Sequence, residues 1–327
     1  MIEKQRKILL KQNPQWQGDP IKTFDFKRDA FETLNKYLQY PQILAVMGLR
    51  RVGKTVLLKQ IMREVGKTAD SRNICYISFD DRDFQRYETA EEAIDYFLTF
   101  SRKDARRFLC LDEIQKVPNW PDLLKSIYDT ESNLKMIVSG SSSLEMTGYR
   151  ETLAGRIITI HMPILSFKEF ARYFGLKSTI SLDELIKDYD RNFMMDKEKY
   201  LSLFERYLIK GAFPELLEIE DRDFIKRYIL ESVIEKIVAD VSRAVSPRRE
   251  DIAYELLKIF SKNTARLFEI TNFANALKIN RNTIANYVTA LERSFLITID
   301  LNYTKSAIKQ ARSSKKAHIA HSGIPIS

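Results

Sequence analysis

The stretch from Ile43 to Val65 constrains this chain more than any other. Five apolar residues, Ile43-Leu-Ala-Val-Met47, lead into Gly48-Leu-Arg-Arg-Val-Gly53-Lys54-Thr55, and a helically spaced run follows to about Val65. An apolar run with no alternating polar face reads as a strand buried on both sides. The loop matches G-x-x-x-x-G-K-[ST], in which the glycines let the backbone curl so that successive N–H groups converge on phosphate oxygens. Gly48, Leu49, Arg50, Arg51, Val52, Gly53, Lys54 and Thr55 are therefore the candidate nucleotide-contacting positions. In this chemistry Lys54 reaches the β- and γ-phosphates and the Thr55 hydroxyl ligates Mg2+. The following helix turns its positive end toward the same anion. Arg50 and Arg51, inside the loop, are placed to add charge there or on a neighbouring subunit.

The rest of the first half repeats the strand–helix alternation of an α/β sheet. Further strands are expected at Ile74 to Phe79, Phe108 to Leu111 and Met136 to Ser139. Helices are expected at about Asp25 to Gln39, Ala90 to Phe100 and Trp120 to Asp129. The run Phe108-Leu-Cys-Leu111 ends in Asp112-Glu113. A carboxylate at that strand tip can hold Mg2+ opposite the glycine loop, which makes Asp112 the second candidate metal residue after Thr55. Glu113, one step further, can polarise the water that attacks a γ-phosphate. Met136-Ile-Val-Ser139 runs into Gly140-Ser141-Ser142-Ser143, and Ser141 is the candidate contact to the γ-phosphate or the attacking water.

Beyond about Gly155 one more β-like run, Arg156 to Ile160, precedes a helix from near Ser166. A polar stretch, Lys177 to Asp196, reads as a connector, and the pattern is almost wholly helical from Tyr200 to about Leu296. Glu269 to Leu277 and Arg281 to Arg293, joined by Lys278-Ile279-Asn280, read as a helix-turn-helix, with Ile284, Val288 and Leu291 facing inward and Leu296 to Asp300 beginning a wing. Arg281, Asn282, Thr283 and Asn286 are of the types that bond phosphates and base edges. A winged helix serves equally well for protein contacts. The last 27 residues carry five Lys/Arg (Lys305, Lys309, Arg312, Lys315, Lys316) and no acid.

The chain has 327 residues, with 53 Lys and Arg against 44 acids, a net charge of +9. That balance favours anionic partners without choosing among them. Its two cysteines, Cys75 and Cys110, sit in apolar runs and are expected as buried reduced thiols, which fits the cytoplasm. The apolar runs are far shorter than the roughly 20 residues of a membrane-spanning helix, so no membrane is expected as a partner. His161, His318 and His321 have no zinc-site spacing with the cysteines.

In order along the chain stand Gly48 to Thr55, Leu111-Asp112-Glu113-Ile114-Gln115, Pro118-Asn119-Trp120, Ser139-Gly140-Ser141-Ser142, Leu153-Ala154-Gly155-Arg156 and Leu165-Ser166-Phe167. With these the chain resembles the prokaryotic AAA+-like P-loop ATPases whose C-terminal half is a domain of unknown function. The resemblance implies an ATPase core with Ser141 near the sensor position, and it makes Arg156 a candidate arginine finger or γ-phosphate sensor, the alternative being a strand-edge arginine with a surface carboxylate partner. Gln115 is placed to orient water or to start the next helix, the helix being the preferred reading. Tyr207-Leu-Ile-Lys-Gly211-Ala-Phe-Pro214 is similar to the family's Gly-Gly-aromatic-Pro turn, with Ala212 for the second Gly. His321 stands where the family has an Asp that leads into a nuclease-like module, so no nuclease role is expected. Family members commonly run longer, and this chain is expected to be a shortened form.

The expected fold is thus α/β, a P-loop NTPase (AAA+-like) parallel sheet with helices on both faces, followed by a mostly helical C-terminal region with a winged helix. The expected boundaries are an extension at 1–20, an ATPase core at 21–175, a helical connector or lid at 176–245, and a winged-helix domain with a basic tail at 246–327. The expected function is hydrolysis of Mg2+-bound ATP to drive a conformational change. The alternative is a nucleotide-gated DNA-binding or protein-binding regulator with negligible turnover. A homo-oligomer, and DNA or protein held by the winged helix, are the expected partners.

Overall fold

The computed structural model describes residues 1–140, 149–176, 189–246, 249–301, 303, 313–321 and 323. They form two compact units: Met1–Gly48 with Gly53–Met162, and Leu49–Val52 with Pro163–Ser327.

The first unit is built on five strands: β1 (Ile43–Met47), β2 (Ile74–Ser78), β3 (Arg107–Asp112), β4 (Leu134–Gly140) and β5 (Ile157–His161). All neighbours are parallel and the order is β2-β3-β4-β1-β5. Every residue of β1 and β3 is buried, as expected of a parallel sheet covered on both faces. Among the described residues the α-helices that accompany it are α1 (Glu3–Gln12), α2 (Asp29–Tyr37), α3 (Lys54–Val65), α4 (Tyr87–Phe100), α5 (Trp120–Thr130) and α6 (Tyr149–Thr152). β1 and α3 have the bounds their sequences predict. α2 starts later than expected because the Gln60 amide holds the carbonyls of Phe24 and Phe26, leaving that segment out of the helix.

The strand order positions the site. β4 lies between β1 and β3, with Met47 beside Gly140 and Leu111 beside Val138. The C-terminal ends of these three strands therefore stand side by side, the end at which open α/β sheets carry ligands. Cys75 and Cys110 are buried and free, and burial pushes both thiols up, away from the reactive thiolate.

In the second unit α7 (Phe167–Tyr173) opens on a capping box. Ser166 Oγ accepts from the Glu169 amide, and the Glu169 carboxylate accepts from the Ser166 amide. α8 (Tyr189–Lys210) shows that helix already begins within the stretch expected as a connector. Gly211 follows it, at a position where a Cβ would fall 1.9 Å from Cδ2 of Tyr207. α9 (Arg222–Tyr228) and α10 (Glu235–Val245) are joined by a π-helical turn, Ile229–Ile234.

The other described helices and strands of this unit are α11 (Glu250–Lys262), β6 (Leu267–Phe268), α12 (Ile270–Leu277), α13 (Arg281–Arg293), β7 (Ile297–Leu301) and β8 (Lys315–Ile319). Its sheet is antiparallel, in the order β6-β8-β7. Lys278 turns between α12 and α13 with φ +55°, and Asn280 caps α13 by accepting from the Asn282 amide at 2.8 Å. Ile284, Val288 and Leu291 are buried, as their spacing predicts. His321 is buried edge-on against Tyr207, and its Nδ1 accepts from the Gly323 amide. Burial pushes this imidazole down to about 4.

At the N-terminal end of the parallel sheet, Lys135 is buried and donates to the carbonyls of Tyr40 (2.7 Å) and Gln42 (2.5 Å). Burial, with Arg106 nearby, pushes its ammonium down to about 7. Between there and the ordinary lysine value the unfolded chain holds a proton that the folded chain has released. Stability from this group should therefore rise with pH from about 7 toward 10, by up to about 1.4 kcal/mol per pH unit. Urea unfolding of Lys135→Met across that range should lack this component of the slope, and equal slopes in the two proteins would refute it.

Candidate functional site

The loop after β1 needs glycine at its end: Gly53, the residue capping α3, has φ +98°, a backbone that side chains resist. Lys54, 5% exposed, folds back and donates to the Gly48 carbonyl at 3.0 Å. Thr55, in the first turn of α3, donates to Asp112 Oδ2 at 2.6 Å. That bond ties the glycine loop to the tip of β3.

Asp112 is 1% exposed. Besides Thr55, it accepts from Tyr76 Oη at 2.7 Å, again on Oδ2, and from Ser139 Oγ on Oδ1. Burial and then the neighbouring Asp112 charge push the Tyr76 phenol upward, so it stays a protonated donor. Ser139 Oγ also accepts the Glu113 amide at 3.2 Å. Glu113 adopts φ +56°, uncommon outside glycine. Its carboxylate accepts from the Gln115 amide. Gln115 lies in a 3-10 turn, Ile114–Lys116, rather than at a helix start.

Of the residues singled out from the sequence, Lys54, Thr55, Asp112 and Glu113 come together at this end of the sheet. Ser141 lies outside the described residues. Arg156 lies at the opposite strand ends, where its carbonyl accepts from the Ile43 amide and its guanidinium pairs with Asp129 at 2.8 Å. Any contact from Arg156 to a nucleotide would have to reach another subunit. Leu49–Val52 groups with the second unit, in which Arg50 pairs with Asp240 at 2.7 Å and Arg51 with Glu215 at 3.2 Å. Both guanidiniums thus already have carboxylate partners. In that unit Arg281, Asn282 and Asn286 are exposed and Thr283 is half-buried.

Tyr76 and Ser139 were not predicted. Each is a hydroxyl in a largely apolar strand run, Ile74-Cys-Tyr-Ile-Ser78 and Met136-Ile-Val-Ser139, and that was the available signal.

Residues 40–171 match the model of the AAA domain, and residues 201–326 match a domain of unknown function, DUF8612. Residues 40–171 form an AAA-type P-loop domain. It is a nucleotide-binding fold, and a domain of unknown function follows it. The chain is 28% identical over 303 residues to the uncharacterized protein MJ1637 of Methanocaldococcus jannaschii, covering 87% of this chain and 62% of that one. It is 30% identical over 274 residues to MJ1544 of the same organism, covering 80% and 57%. An uncharacterized Haemophilus influenzae protein is 26% identical over 266 residues, covering 78% and 61%. The chain spans about three fifths of the length of these curated relatives.

Among solved structures it is similar to Aeropyrum pernix Orc1 in complex with DNA (13% identity, 92% of this chain, 91% of that chain, TM-score 0.39). It is also similar to Cdc6p of Pyrobaculum aerophilum (10% identity, 92% and 93%, TM-score 0.37). At these TM-scores the likeness says nothing of what this chain binds. No described helix is long and apolar enough to cross a membrane.

Ser139→Ala would remove a donor from the buried Asp112 carboxylate and the acceptor of the Glu113 amide. The expected loss of stability is about 1–3 kcal/mol. It should appear as a lower urea midpoint with an unchanged slope, and an unshifted midpoint would show that these bonds contribute nothing net.

Proposed function

We propose that the N-terminal unit binds ATP with Mg2+ and hydrolyses it to drive a conformational change. The observation that carries this reading is the Thr55–Asp112 bond, which joins the phosphate loop to the acidic strand tip. A hydroxyl and a carboxylate are hard oxygen donors of the kind Mg2+ takes, so the residues present fit the ion. When bound, Mg2+ would supply charge neutralisation for the phosphates. Thr55 would offer an oxygen lone pair to the ion while its O–H goes on donating to Asp112, and the Asp112 carboxylate would add its negative charge beside the ion.

Lys54 would exchange the Gly48 carbonyl for phosphate oxygens. The Gly53 turn and the first amides of α3 would supply backbone donors. Glu113, aimed by its backbone and by Gln115, would accept the proton of the attacking water. Two groups stay outside this set within one chain, Ser141 as an undescribed γ-phosphate contact and Arg156 as a contact in trans.

A second reading assigns the helical half to nucleic acid. Its support is the exposed set Arg281, Asn282 and Asn286 on the first turns of α13, which follows α12 after a three-residue turn and precedes β7 and β8. That order of elements is the one a winged helix uses. Lys315 and Lys316 stand on β8, and Lys305, Lys309 and Arg312 lie outside the described residues.

For the first reading, Glu113→Gln should bind a fluorescent ATP analogue with wild-type affinity while phosphate release falls about 10²–10⁴-fold. Lys54→Ala should lose nucleotide binding and keep its circular dichroism spectrum. Normal turnover in Glu113→Gln would leave ATP as a conformational ligand at most, and normal binding in Lys54→Ala would remove the site. For the second reading, fluorescence anisotropy with duplex DNA at several salt concentrations should show a log–log slope that falls by roughly 0.9 for each phosphate no longer neutralised. Arg281→Ala should flatten it, and an absence of binding at low salt would leave α13 as a protein-contact surface.

A further inference from the structure

β2 is the edge of the parallel sheet, and its outer backbone groups are met by side chains instead of another strand. The Ser78 amide donates to Gln12 Oε1 at 2.9 Å. The Tyr76 amide donates to Asn13 Oδ1 at 2.7 Å, and Asn13 Nδ2 donates back to the Tyr76 carbonyl at 2.7 Å. The Ile74 carbonyl accepts from Gln15 Nε2 at 2.9 Å and from Trp16 Nε1 at 2.8 Å. A short run after the middle of α1 thus copies the donor–acceptor pattern of a missing strand. At its centre Asn13, 0% exposed, imitates one peptide group.

The residue gripped at both backbone atoms by Asn13 is the one whose phenol reaches Asp112. Tyr76 shares Oδ2 with Thr55, and Ser139 takes Oδ1. An ionised carboxylate offers about four lone-pair sites. Three hydroxyl donors therefore fix its plane and leave about one site for a donor brought by a cation, such as a bound water. Lys59, one turn beyond Thr55 on α3, lies 5.6 Å over the Tyr76 ring and packs it from the helix side. The carboxylate is consequently held by a chain of contacts that starts at Asn13.

We propose that Asn13 and Tyr76 are positioning residues for Mg2+ at Asp112: Asn13 fixes the Tyr76 backbone, and the Tyr76 phenol fixes the carboxylate beside Thr55. This rests on the Mg2+–ATP reading of the site. Neither residue touches the nucleotide in this account, so their effect is on the metal dependence of binding and not on the phosphate loop itself. Partners of this kind typically change metal affinity by about 10–100-fold when removed.

The test uses the full chain and two measurements. The first is affinity for a fluorescent ATP analogue with Mg2+ and with EDTA. The second is Mn2+ affinity in the presence of nucleotide, read by electron paramagnetic resonance. Tyr76→Phe keeps the ring and should leave EDTA affinity within about twofold while weakening Mn2+ binding about tenfold or more. Asn13→Ala should weaken Mn2+ binding in the same direction, and the double variant should be no worse than Tyr76→Phe alone. Trp16→Phe, which removes the indole donor to the Ile74 carbonyl on the same edge and leaves the Asn13 and Tyr76 side chains their bonds, should lower the unfolding midpoint and leave Mn2+ affinity unchanged.

Unaltered Mn2+ affinity in Tyr76→Phe overturns the proposal, as does an Asn13→Ala effect that simply adds to it. Equal loss of Mn2+ affinity in Trp16→Phe also overturns it, since the edge would then act only through overall stability. A wild-type chain that binds no nucleotide with or without metal overturns the reading of the site itself, an outcome distinct from the others.

Discussion

The C-terminal end of the parallel sheet is organised around one buried charge. A carboxylate as enclosed as Asp112 costs several kcal/mol in desolvation unless donors replace its water. Three hydroxyls do so, from the first turn of α3, from β2 and from β4. The strand order makes this arrangement available, because β3 has β2 on one side and β4 on the other. The donors are neutral. A lysine or arginine in their place would have cancelled the charge, whereas hydroxyls solvate it and keep its attraction for a cation.

The same buried charge governs how the neighbouring residues are used. Ser139 serves both Asp112 and the Glu113 amide, so the backbone direction that aims Glu113 is coupled to the carboxylate behind it. The left-handed conformation of Glu113 is held by that bond together with the 3-10 turn that follows. A side chain kept in an unfavourable backbone region at a candidate site is the usual sign that its aim matters more than its local comfort.

Much of this was legible in the sequence, for reasons specific to each element. β1 and α3 were readable because a buried apolar run, a glycine loop and a helical period follow one another without a gap. α13 was readable because its inward residues Ile284, Val288 and Leu291 keep helical spacing. Tyr76 and Ser139 escaped because a single hydroxyl in an apolar strand looks the same whether it faces a carboxylate or a backbone carbonyl. Residues 3–17 escaped for a different reason. Their contribution to the sheet is made by side-chain amides, which leave no hydrophobic period to detect, and within α1 only Leu9 is a buried apolar residue. The loop arginines were read by charge alone, and charge does not say which carboxylate an arginine meets first.

The amide run along β2 has a consequence of another kind. A bare edge strand is a template on which a second chain can add itself, and the addition can repeat without limit. Amide side chains satisfy the same backbone groups but present no further strand behind them, so the pairing stops there. Asn13, Gln12 and Gln15 act in this sense as terminators of a polymer that never starts. A chain that lost its first seventeen residues would expose the Ile74–Ser78 edge, and self-association would be added to whatever the loss of Asn13 does to the metal site.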